Sequence, residues 1–149
     1  MLRVLLYLWA LPVTLLGVLV ALVSRGSGGT LQRVEGVLEV AGGWPAKVLR
    51  RGFPFSGAVA ALTLGHVVVG VSLNALTATR AHERAHVRQF ERWGVLLLVL
   101  YPLAGLLAWL RGGNPYRDNG FEREARAAEC AALGKPGKPG STGIQSTGR

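Results

Sequence analysis

From Leu2 to Val23 the chain is apolar at almost every position, with Arg3 the one charge. At about 1.5 Å per residue such a run is long enough to cross a hydrocarbon core. Pro12 is tolerable inside it, with a kink. A cleaved signal peptide would have a shorter apolar core and a small-x-small cleavage site, and Ala21-Leu22-Val23-Ser24 is a poor one. Residues 1–23 are therefore expected to form a retained membrane helix. Residues 24–30 are rich in Gly and Ser and read as a linker. From Leu31 to Ala41 the pattern alternates, with Val34, Gly36, Leu38 and Val40 on one face, which predicts one half-buried strand. Gly42-Gly43-Trp44-Pro45 ends it, and Lys47–Phe55 reads as a basic connection with turn signals.

The stretch 58–71 is β-branched and interrupted by Gly65 and Gly70, which favours one or two strands over a second spanning helix. His66 would share a face there with Leu62, Leu64 and Val68, as a partly buried histidine or as part of a site. Ser72 or Asn74 can cap a helix running to Trp93, and Gly94 stops it. On that helix Arg80, Arg84, Arg88 and Arg92 form an i,i+4 line, read as a solvated or head-group-facing edge. Residues 95–110 are wholly apolar but short for a span, and Pro102 and Gly105 weaken their middle. A turn-rich segment, 114–120, precedes a helix over 121–133. Residues 134–149 are mostly Gly, Pro, Lys, Ser and Thr with a single apolar Ile, and should be disordered. The expected fold is α+β: an N-terminal membrane helix, then a domain over 31–133. In that domain a small β-sheet packs on the helix that ends at Trp93, followed by an apolar return helix and a glutamate-bearing helix.

Composition narrows the setting. Of the 149 residues, 50% are hydrophobic and only 17% charged, and the net charge is +9. Such a chain suits membrane lipid, above all anionic head groups. No nucleic-acid-binding signature is present, so no nucleic-acid partner is expected. A single cysteine, Cys130, excludes an internal disulfide. Arginines and one lysine come after the first apolar run, at positions 25, 33, 47, 50 and 51, and only Arg3 precedes it. That asymmetry predicts a cytoplasmic domain on the carboxyl side of the helix, as in a bacterial inner-membrane protein.

The candidate chemistry lies in His82-Glu83-Arg84-Ala85-His86. Side chains four apart share a helical face, so two imidazoles can hold one tetrahedral Zn²⁺. Glu83 projects about 100° away and can act as a general base without being a ligand. A catalytic zinc wants a third protein ligand, and Glu122 or Glu124 can supply it. If 95–110 continued straight across a membrane, those glutamates would lie about 24 Å from the histidines. The site therefore requires the chain to fold back at Gly94. Asn119 with Glu122 also fits a capping box, which is the competing role for that glutamate. Asp118, Asn119 or Asn114 could orient a histidine from behind, and Tyr116 could donate to a developing oxyanion.

His82-Glu83-x-x-His86 followed by Phe121-Glu122-Arg123-Glu124-Ala125 resembles the zincin metallopeptidases of the gluzincin kind. Together with Thr63-Leu64-Gly65-His66-Val67-Val68 and Tyr116–Ala125, it is also similar to a group of small bacterial membrane proteins. The resemblance covers about residues 31–130. It implies zinc on His82, His86 and Glu122, with Glu83 as base. Such families often carry an aspartate four residues after the glutamate ligand, where this chain has Arg126. The expected function is a membrane-anchored zinc hydrolase, a metallopeptidase acting on peptide or protein. The alternative is a non-catalytic basic membrane protein that binds anionic lipid or a protein partner.

Overall fold

The computed structural model describes residues 2–53 and 57–134; the tail expected to be disordered lies outside these, apart from Gly134. The elements run α1 (Leu2–Gly26), β1 (Thr30–Val34), β2 (Val37–Ala41), α2 (Gly43–Arg51), β3 (Ala61–Leu64), β4 (Val67–Gly70), α3 (Leu73–Trp93), a 3₁₀ turn (Gly94–Leu96), α4 (Leu97–Leu110) and α5 (Gly120–Ala132). The architecture is α+β around one four-stranded mixed sheet of order β1-β2-β4-β3. β2 and β4 are parallel; the two outer pairs are antiparallel hairpins.

The expected single strand over 31–41 is two strands. Glu35 (φ 49°) and Gly36 (φ 83°) form a two-residue turn with positive φ at both positions, the hairpin geometry that matches strand twist. The turn flips the alternation, so Val34 pairs with Val37 and shares its face instead of that of Leu38. The next correction concerns 43–51, a helix instead of a connection. Pro45 sits in its first turn, where a missing N–H costs nothing; Ala46 and Leu49 are buried, and Leu49 packs on the sheet. The stretch 58–71 is two strands, with His66 in the turn between them and not on a strand face.

Both faces of the sheet are covered. On one, Val37, Ala41, Ala61 and Val68 pack against Leu76 and Val87 of α3. On the other, Val40, Val67 and Val69 pack against Ala21 of α1 and Leu49 of α2. The first helix thus packs on the sheet as part of the fold. Ala10, Val13, Gly17, Ala21 and Ser24 form its buried stripe, at three- and four-residue spacing. A Cβ at Gly17 would stand 2.7 Å from Val67 Cβ, so only glycine lets α1 approach this closely. The expected linker is short and pinned. The helix continues to Gly26, Ser24 Oγ donates to Gly42 O at 2.9 Å, and Trp44 N donates to Ser27 Oγ at 2.7 Å.

Two helical runs, Leu6–Gly26 and Leu73–Leu110, are long and apolar enough to cross a membrane. The second bends at the 3₁₀ turn, and all its charges precede Gly94. Large apolar side chains stay exposed along the outer side of α1 (Leu8, Leu15, Leu19, Leu22) and of α4 (Val99, Leu103, Leu107, Leu110).

Candidate metal centre

Ser72 Oγ caps α3 by accepting from Ala75 N, and the helix then runs unbroken to Trp93. The side chains of Leu76 and Val87 lock onto the sheet. That contact turns Glu83 inward toward β3 and leaves His82 and His86 side by side on the flank. Gly94 ends the helix with its N–H on Phe90 O, and the chain reverses. Phe90 and Leu97 meet in one cluster with Ala10 and Val13. As a result the Tyr101 ring centroid lies 6.3 Å from that of His86. A straight helix would separate those residues by about 22 Å.

Helix α5 supplies the carboxylate. Asn119 caps it by accepting from Phe121 N, and its Nδ2 donates to Tyr101 O, tying the start of α5 to α4. The capping is complete without Glu122, whose side chain is buried and points at the histidines. His82 Nε2 lies 3.4 Å from Glu122 Oε2, and His86 Nε2 lies 3.2 Å from Oε1. The two Nε2 atoms are 3.2 Å apart. One ligand atom from each of the three residues lies within 4.8 Å of the others, so the group could hold a metal ion. The donor set suits that role: two imidazole nitrogens and a carboxylate oxygen converge with lone pairs toward one point. Glu122 Oε2 is buried without a hydrogen-bond partner, with His82 Nε2 at 3.4 Å and the Arg126 guanidinium at 3.8 Å beside it, so it keeps lone pairs free for an ion.

The surroundings orient these groups. Gln89 Nε2 donates to Phe121 O and to Glu124 Oε2, both at 3.0 Å, so its Oε1 is turned to His86 Nδ1 at 2.9 Å. His86 then carries its proton on Nδ1 and presents the Nε2 lone pair to the site. His82 Nδ1 faces Glu129 Oε2 at 3.5 Å. Tyr101 OH donates to Glu122 Oε1 at 2.6 Å, and Thr63 Oγ1 donates to Glu83 Oε2 at 2.6 Å.

Electrostatics follow from burial and from these contacts. Burial alone would raise Glu122, but the close imidazoles of His82 and His86 and the hydrogen bond from Tyr101 hold it far below the usual carboxylate range. Burial lowers His86, yet the Glu122 carboxylate outweighs it and raises the imidazole. Glu83 moves the other way: burial pushes it up, only partly opposed by His86 and the Thr63 hydroxyl. Tyr116 is also raised, by burial and by the neighbouring Glu122 charge.

His82, Glu83, His86, Tyr116 and Glu122, the residues singled out from the pattern, all border one cleft. Glu124 does not join them; it is half exposed, between Gln89 Nε2 and Arg92 at 3.8 Å. Asn114, Asp118 and Asn119 hold turns and the α5 cap instead of a histidine. Arg126 lies 3.8 Å from Glu122 Oε2, and its guanidinium donates to Arg117 O. Glu129, seven residues after Glu122, supplies the carboxylate that faces His82 Nδ1. His66 lies apart from the site, stacked on Tyr7 at 4.0 Å and bridging Thr14 and Glu91. The arginine line is not a solvated edge throughout. Arg80 donates to both Glu39 oxygens, and Arg84 is folded onto Val34 O and Glu39, because α3 covers the strand that carries that carboxylate.

Four residues beside the site were not singled out as site residues from the pattern: Thr63, Gln89, Tyr101 and Glu129. Comparison with protein families, with curated proteins and with solved structures finds no match for this chain.

Proposed function

We propose that this protein is a membrane-anchored, zinc-dependent hydrolase, most simply a metallopeptidase. The observation that carries the reading is the convergence of His82, His86 and Glu122 beside a buried Glu83. A nitrogen-nitrogen-oxygen donor set matches zinc better than magnesium or calcium, which want oxygen alone. Zinc bound there would supply Lewis acidity to polarise a carbonyl and acidify a nearby water. Glu83, whose carboxyl is raised by burial, stands beside the two histidines and is suited to take the proton from that water and pass it to the leaving amine nitrogen. Thr63 holds the Glu83 carboxylate in place, and Tyr116, kept protonated, can donate to a developing oxyanion. The exposed leucines of α1 and α4 support a bilayer setting. The arginine excess after α1 supports a cytoplasmic site, in a bacterial inner membrane.

The test is metal analysis of the purified full chain with hydrolysis measured alongside. Wild type should bind about one zinc per chain, consistent with a single three-ligand site. His86→Ala should lose it, and Glu83→Gln should keep it while losing activity. Zinc-free wild type prepared without chelator would end the hydrolase reading. Zinc retained with no hydrolysis of any peptide would favour a structural metal in a lipid- or protein-binding module.

A further inference from the structure

The cleft that starts at the metal centre has a volume of about 730 Å³, within the range of ligand-binding pockets. Apart from the Trp109 indole N–H, its polar side chains gather where His82, Glu83, His86 and Glu122 meet. Away from that end the walls are apolar, formed by α4 on one side and by β3 and Phe53 on the other. Among the described residues, no lysine or arginine lines it. Leu98, Leu106 and Trp109 form part of the wall and are themselves 44%, 48% and 58% exposed. The cleft is therefore continuous with the apolar outer surface of α4.

We infer that the site takes an apolar segment of peptide chain, entering from the hydrocarbon side along α4. The inference rests on the hydrolase reading for its chemistry and on the cleft alone for its ligand class. A polar or charged segment would lose its hydration against these walls with no partner in return. A phospholipid fits worse than a peptide. Its phosphate would lie a few bonds from the scissile ester, beside the carboxylates of Glu83 and Glu122, and apart from the metal no lysine or arginine lines the cleft to meet it. An uncharged amide flanked by large apolar side chains meets neither penalty. In the reaction, water adds to the carbonyl carbon, forming the new C–O bond, and the C–N bond breaks. One water proton reaches the leaving nitrogen through Glu83, so the products are a carboxylic acid and an amine.

Binding separates the two ideas. The full-length Glu83→Gln protein, zinc-loaded in detergent micelles, is titrated with a dansylated octapeptide amide of Leu, Phe and Val. It is titrated likewise with a counterpart of Ser, Asn and Gln. The apolar peptide should bind at least tenfold tighter. The double variant Leu98→Gln/Leu106→Gln should weaken its binding at least fivefold with zinc content unchanged, a loss that partition into micelles would not produce. Equal or tighter binding of the polar peptide, or no effect of the double variant, overturns the inference. So does displacement of the peptide by an equal concentration of short-chain phosphatidylglycerol, in favour of lipid. Wild-type protein that binds the apolar peptide selectively but never cleaves it sinks the hydrolase reading and leaves the ligand class standing.

Discussion

Thr63 Oγ1 donates to Glu83 Oε2 at 2.6 Å, joining β3 to the middle of the His-Glu-x-x-His turn of α3. Both side chains are buried, so the bond is made away from competing water. It fixes one carboxylate oxygen of a side chain that borders the cleft.

Thr63→Val keeps the shape and removes the donor. The expected cost is about 1.5–3 kcal/mol, the range for a hydrogen bond to a charged group. Denaturant unfolding measures it. Thr63→Ser should recover most of the loss. If the valine variant is as stable as wild type, the bond contributes nothing.

Gln89 and Glu129 face the Nδ1 atoms of His86 and His82. Groups of this kind typically change metal affinity by about 10–100-fold. Gln89→Leu should weaken zinc binding by about that factor without abolishing it, as measured by competition with a chromogenic chelator. Glu129→Gln should have a smaller effect, since Glu129 is about one-third exposed and its contact is 3.5 Å. Unchanged affinity in Gln89→Leu would mean that the amide does not orient His86.

Removing one ligand should differ from removing the base. Glu122→Ala should abolish stoichiometric zinc, and Tyr101→Phe, which loses the 2.6 Å bond to Glu122, should only weaken it. Zinc should raise the unfolding temperature of wild type and not of Glu122→Ala, because a ligand that binds only the native state stabilises it by mass action. Equal shifts in both would place the ion elsewhere.

Glu39 is buried in the sheet; burial would raise its carboxyl, but hydrogen bonds from Arg80 and Gln32 outweigh this and hold it below the usual range. A carboxylate whose folded pKa is depressed contributes stability that is present above its unfolded value, about 4.3, and is lost as pH falls through the folded one. Stability should therefore decline on acidification below about pH 4.3. Glu39→Gln should flatten that decline and cost about 2–3 kcal/mol at pH 7. Parallel acid limbs for wild type and variant would show that Glu39 does not contribute.

Gly17→Ala should destabilise by about 1–3 kcal/mol, because its Cβ would press on Val67 and on Leu64 O. Leu19→Ala, on the exposed side of the same helix, should change folding stability little. Thermal unfolding in one detergent compares them. Equal effects would mean that α1 does not dock on the sheet.

Local pattern was legible wherever one helical face or one cap decided the structure. The bounds of α3 follow from Ser72 and Gly94, and the start of α5 from Asn119. The hairpin at Glu35-Gly36 was hidden because alternation runs through a two-residue turn without a break in the pattern. Helix α2 was hidden by Gly43 and Pro45, which mark turns as readily as helix starts.

The spacing of His82, Glu83 and His86 by itself determined that two imidazoles share a face and that a carboxylate stands off it, since helical geometry is local. The apolar runs likewise determined where greasy surface would be. Which carboxylate completes the trio was a tertiary matter: the reversal at Gly94 brings α4 back along α3, and the Asn119 cap on Tyr101 O aims Glu122 and not Glu124 inward. Tertiary packing also decided that α1 belongs to the core and that Thr63, Gln89 and Tyr101 support the site. Contacts between elements depend on how their faces meet, and no single segment carries that information.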